Sequence, residues 1–168
     1  MTKNYQLIVG AMFIGSLLVS VTSSAAPANK NETQIRNVVE NHFKGVITAD
    51  AKLLNQAWDV PNAHLKYILT DAQGKETALV KPMKDMIKAW TEKASPNSKG
   101  KIIDVQVAGD HMAFVNVEFD WVTDAASDNL KEFLVLFKTN GTWKLVNKTY
   151  VVKHSVAKMR TLPRGGYG

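Results

Sequence analysis

Four β-rich stretches stand almost end to end after Gly100: KIIDVQVAG, HMAFVNVEFDWV, LKEFLVLFK and TWKLVNKTYVV. Val, Ile, Phe and Trp dominate them, residues that suit a pleated surface. Only short turn signals part them: Gly109-Asp110, TDAASD and Asn140-Gly141. A parallel crossover needs a dozen or more residues, so neighbours this closely joined must pair antiparallel. Asn-Gly accepts the positive φ angles of a two-residue hairpin turn. On that turn Lys138 faces Trp143 and Phe137 faces Lys144. One face then carries Leu134, Leu136, Trp143, Leu145 and Asn147. The other carries Phe133, Val135, Phe137, Val146, Lys148 and Tyr150. A sheet with one wet face alternates apolar and polar residues. Here both phases are apolar, so both faces are expected to be covered, one by helices and the other by a second copy of the chain.

The helices come from the first half. In NETQIRNVVENHFKGVITAD, the residues Ile35, Val38, Val39, His42, Phe43, Val46 and Ile47 recur at helical spacing. They form one apolar stripe with His42 inside it. Asn31 or Thr33 is placed to cap its start, and Asp50 to cap a second short helix, AKLLNQAW. AHLKYIL and ETALV read as strands around TDAQGK, where Gly74 suits a left-handed turn. Pro82 opens PMKDMIKAW, whose Met83, Met86, Ile87 and Trp90 share a face. Helices, then a hairpin, then a meander make an α+β fold: an antiparallel sheet on about three helices.

Outside this domain, Lys3 precedes an apolar run from Leu7 to Val21, and small residues follow. That is the layout of a secretory signal peptide over residues 1–28, with cleavage expected after Ala25, Ala26 or Ala28. The expected location is the periplasm or outside the cell, with no stable membrane insertion after cleavage. The chain has no cysteine, which excludes disulfides, thiol catalysis, zinc–thiolate sites and a lipobox. The net charge is +6, but Lys3 contributes one charge and the tail, residues 153–168, four: Lys153, Lys158, Arg160 and Arg164. Removing those five leaves +1 for residues 29–152, the single expected domain. A nucleic-acid-binding domain carries a basic face of its own, so no nucleic-acid partner is expected, and the basic tail reads as a flexible end.

The order of elements, together with HFKGVITAD, IIDVQVAGDHMAFVNVEF and LVLFKTNGTWKLVNKTY, resembles the nuclear-transport-factor-2-like superfamily. Within it, the chain is similar to the lumazine-binding-like group, over residues 32–152. The resemblance implies a cone-shaped, curved sheet wrapped around the helices, a cavity between them, and frequent dimerisation through the outer sheet face. It implies no single function, because such folds host isomerases, dehydratases, cyclases, transport factors and association domains.

Steroid-isomerase-like members of that superfamily place a hydrogen-bonding tyrosine eight residues before the aspartate of the Gly/Asp step. His42 occupies that place here. Their carboxylate base falls near Tyr67 and their second acidic donor at Phe133, so two of three positions hold the wrong chemistry. A tyrosine of ordinary pKa, near 10, is a poor base at neutral pH. The residues therefore favour binding over catalysis. His42, Tyr67, Trp90, Phe133 and Tyr150 are the expected pocket, for a small heterocyclic or aromatic ligand. Leu134, Leu136, Trp143 and Leu145 are the expected homodimer contacts. Lys148, in the phase of Tyr150, either reaches the rim or meets an acidic ligand. His42, His64, His111 and His154 are scattered without metal-ligand spacing, and no phosphate loop is present, so neither metal nor cofactor is expected. The alternatives are a lyase- or isomerase-like enzyme using His42, and an association module whose cavity is filled by its own side chains.

Overall fold

The computed structural model describes residues 30–71, 73–123 and 127–153. The expected signal peptide and nearly all of the basic tail lie outside the described residues. Three helices, α1 (Lys30–Thr48), α2 (Ala51–Ala57) and α3 (Met83–Trp90), pack on one face of a six-stranded sheet. The strands are β1 (His64–Thr70), β2 (Glu76–Pro82), β3 (Lys99–Ala108), β4 (Met112–Val122), β5 (Ser127–Thr139) and β6 (Thr142–Lys153). Their order in the sheet is β2-β1-β6-β5-β4-β3. The meander from β3 to β6 is antiparallel throughout, while β1 lies parallel to β6, so the sheet is mixed. Among the described residues no helix is long and apolar enough to cross a membrane.

The α1 stripe lies against the sheet, with Ile35, Val39, His42, Phe43 and Val46 buried. Each apolar side chain of this kind contributes about 1.5–3 kcal/mol when fully covered. Asn31 and Thr33 sit inside α1 rather than capping it. The step from α1 to α2 explains the Gly/Asp pair. A Cβ on Gly45 would lie 2.7 Å from Leu54 Cγ and 3.2 Å from its backbone nitrogen, so only glycine lets α2 come this close. Asp50 then caps α2, its Oδ1 accepting from the backbone N–H of Lys52 at 2.8 Å and of Leu53 at 3.1 Å. The same logic seats β3 on α1, where the Phe43 ring occupies the space above Gly100.

The Asn140-Gly141 turn has φ of 52° and 78°, and Lys138 pairs with Trp143 and Phe137 with Lys144, as the dipeptide predicts. The assignment of faces differs from the sequence expectation. Val135 pairs with Asn147 and Leu136 with Leu145, so Val146 is an extra residue, a β-bulge. Alternation in β6 changes phase there. Trp143 and Leu145 before the bulge, and Lys148 and Tyr150 after it, all turn toward the helices. Leu134, Leu136, Trp143 and Leu145, expected on the outer face, are buried in the core instead. Phe133, expected inside, is 56% exposed on the outer face, with Phe114 and Phe137 nearby at 45% and 46%.

Candidate functional site

Strand register sets out the inner face in rows. Leu65, Lys148, Leu134 and Val115 lie side by side across β1, β6, β5 and β4. The next row is Tyr67, Tyr150, Glu132 and Val117. A lysine and a glutamate therefore occupy diagonal positions on a face that is otherwise apolar, and both are buried. Lys148 Nζ lies 2.7 Å from Glu132 Oε1. The two side chains form a buried ion pair. Glu132 Oε2 has no hydrogen-bond partner among the described residues. Burial raises the Glu132 carboxyl above its ordinary range, and the Lys148 charge pulls it partly back.

Aromatic rings wall the pair. Lys148 Nζ is 5.2 Å from the centre of the Trp90 ring, 5.5 Å from Tyr150 and 5.7 Å from Phe119. Tyr67 and Tyr150, register partners on parallel strands, stack at 5.5 Å with planes 6° apart. From the helix side, His42 meets Trp90 at 5.4 Å and Trp58 edge-on at 5.3 Å. Trp58 Nε1–H donates to His42 Nδ1 at 3.2 Å. Burial, helped by the Lys148 charge, holds the imidazole well below its ordinary pKa, so it is neutral. With Nδ1 accepting, its proton sits on Nε2, and that N–H has no partner among the described residues.

Four of the five expected pocket residues thus share one neighbourhood: His42, Tyr67, Trp90 and Tyr150. Phe133 is on the opposite side of the sheet. The sequence reading missed Glu132, Trp58 and Phe119. Glu132 shares the phase of Leu134 and Leu136 and is hidden once that phase is assigned to the outside. The interior is largely filled by these side chains. His42 and Glu132 have no accessible surface, while Tyr67, Trp90 and Lys148 keep 8%, 7% and 4%. A separate groove of about 390 Å³ runs along α1 and β3, lined by Glu40, Phe43, Lys44, Ile47, Ser98, Lys99 and Gly100. None of the expected site residues lines it.

Helices on one face of a six-stranded sheet, with polar groups between them, make a nuclear-transport-factor-2-like fold. Solved structures agree. The chain is similar to an NTF2-like protein of unknown function from Methylobacillus flagellatus (17% identity, TM-score 0.61, covering 77% of this chain and 97% of that one). A counterpart from Shewanella baltica shows 21% identity and a TM-score of 0.58 over 71% and 91% of the two chains. One from Silicibacter pomeroyi shows 20% identity and 0.58 over 73% and 96%. Residues 30–151 match the model of the family described as "Putative lumazine-binding", and the chain belongs to that family. No curated protein matches it.

Proposed function

We propose that this is an exported, non-catalytic domain that binds a small, flat molecule between α1, α3 and the sheet, and that pairs with a second copy through its outer sheet face. One observation carries the binding reading: the Glu132–Lys148 pair in an aromatic interior. Taking two charges out of water costs several kcal/mol per ion, and well-packed apolar residues are often as stable or more so. An unpaired buried donor or acceptor costs a further ~1–3 kcal/mol. His42 Nε2–H and Glu132 Oε2 are two such groups. A ligand that satisfies them offsets a cost that folding alone does not.

The arrangement favours binding over catalysis. The basic nitrogen of His42 is already occupied by Trp58, and the resemblance to steroid isomerases puts their carboxylate base near Tyr67, which is no carboxylate. The enzyme reading gains one point from the phase of β5, which supports Glu132 rather than Phe133 as the inward acid; its pairing with Lys148 argues for a fixed charge rather than a mobile proton. The filled interior, with Trp58 and Phe119 almost wholly covered, favours the association-module reading.

Native mass spectrometry of the chain purified from its own host separates these. The binding reading predicts a mature chain beginning between residues 26 and 29, carrying a non-covalent adduct of a few hundred daltons. A bare mature chain supports the association module, and an intact Met1 contradicts export.

A further inference from the structure

We infer that the groove between α1 and the free edge of β3 takes an extended peptide segment that alternates apolar and acidic residues, added to the sheet as a further strand. β3 stands at the end of the sheet, and among the described residues only β4 pairs with it. Alternate backbone N–H and C=O groups of β3 therefore face outward, a ready template for another strand. The groove lies on that free side, because its walls come from α1 and the start of β3, with no residue of β4. The edge is pinned where it begins: Ser98 Oγ accepts from the Val122 N–H at 2.9 Å, which ties the start of β3 to the end of β4. Lys99–Ile102 pairs regularly with β4 up to a bulge at Ile103, so that stretch is the open edge.

The side chains around that edge set the partner's sequence. Lys99 and Lys101 share one face of β3 and are exposed, and Lys44 stands on the α1 wall. None of the three forms an ion pair among the described residues, and Glu40 is the only acid on the walls. β4 shows what suits this strand. Asp120 lies opposite Lys99 and Glu118 opposite Lys101, while Val117 and Phe119 are buried toward the helices. Asp120 is held by Asn129 Nδ2 at 2.7 Å, so Lys99 stays free. A strand on the open side meets the same two faces. Its apolar side chains turn toward Phe43 and Ile47, and the acids between them turn toward Lys99 and Lys101. A basic segment meets like charge. A second copy offering its own β3 brings lysines against lysines at a bulged edge, the two devices that block such pairing. A small carboxylate suits the lysines but leaves the outward backbone groups unpaired. In strand addition the main chain supplies the affinity and alternate side chains the specificity.

The test is fluorescence anisotropy of a labelled, acetylated and amidated peptide, Val-Glu-Val-Glu-Val, titrated with the purified mature chain. The expected result is saturable binding, with Val-Lys-Val-Lys-Val weaker by at least about tenfold, because like charges across an interface suppress the wrong partner. Lys99→Gln/Lys101→Gln should weaken the glutamate peptide about fivefold, the loss of two exposed ion pairs together, and should not weaken the lysine peptide. Glutamine keeps the fold, whereas glutamate would face Glu118 and Asp120 of β4. Backbone methylation separates strand pairing from charge alone. Alternate amides of a strand point to the same edge, so methylating the valine nitrogens and methylating the glutamate nitrogens have unequal effects: one set blocks the edge turned to β3 and the other leaves it open. Equal binding of the two methylated peptides overturns strand addition. Equal binding of the glutamate and lysine peptides overturns the charge recognition, and no binding of the glutamate peptide overturns the proposal as a whole.

Discussion

Trp58 donates its indole N–H to His42 Nδ1 across 3.2 Å, and that one bond fixes which imidazole nitrogen carries the proton. It joins α1 to the end of α2, and it leaves Nε2–H for whatever else occupies the interior. It also makes His42 a stability sensor.

Because burial depresses the His42 pKa, its contribution is fully present above the unfolded value of 6.5. Below that pH the unfolded chain takes up a proton that the folded chain refuses. Stability then falls with pH, by at most about 1.4 kcal/mol per pH unit for one group. Glu132 runs the other way: its pKa is raised, so its contribution is greatest below 4.5 and is lost as pH rises through the folded value. Urea unfolding at pH 7, 6 and 5 separates them. His42→Gln should be less stable than wild type at pH 7, with the gap closing toward pH 5. Parallel curves would mean that His42 titrates normally in the folded state.

The α1–α2 contact gives a second expectation. Alanine favours a helix over glycine by about 0.8–1 kcal/mol. At Gly45, however, the new Cβ would meet Leu54 Cγ at 2.7 Å and Cδ2 at 2.9 Å. Overpacking of this kind costs about 1–3 kcal/mol, so the clash outweighs the propensity. Gly45→Ala should lower the urea midpoint, and pairing it with Leu54→Ala should cost less than the two single changes summed. A midpoint raised by Gly45→Ala would show that α2 moves freely away from α1.

Dimerisation is now expected through other residues than the pattern first indicates. Phe114 pairs with Val135 on the outer face, and Phe133 and Phe137 flank Val135 along β5. All three rings are about half exposed, a contiguous apolar patch that marks an interaction surface. Sedimentation should give twice the mature chain mass at micromolar concentration. Phe133→Glu/Phe137→Glu should give the single mass with little loss of stability. Leu134→Ala, by contrast, should cost about 2–5 kcal/mol as a core truncation. A wild-type monomer would contradict the paired state.

The order of elements, the Asp50 cap, the Asn140-Gly141 hairpin and the α3 face were legible because each rests on local chemistry: a side-chain oxygen at a helix start, a residue tolerant of positive φ, a 3.6-residue period. The faces of β5 and β6 were not. Alternation reports that two faces differ, and when both are apolar it does not report which one the helices cover. The bulge at Val146 compounds this, because one inserted residue reverses every later side chain without altering the composition. His42 was legible as a polar residue in an apolar stripe. Its partner Trp58 and the Glu132–Lys148 pair were not, since they depend on long-range register.

Nitrogen-15 NMR of the histidine rings tests the central claim most directly, with the His42 signal assigned through His42→Gln. The ring should be neutral and protonated on Nε2 at pH 7 and should stay neutral below pH 6.5, because burial lowers its pKa. On addition of lumazine, the Nε2–H resonance should move while Nδ1, held by Trp58, stays nearly fixed. A ring that titrates near pH 6.5, or an Nε2–H resonance unmoved by a saturating probe, would contradict it.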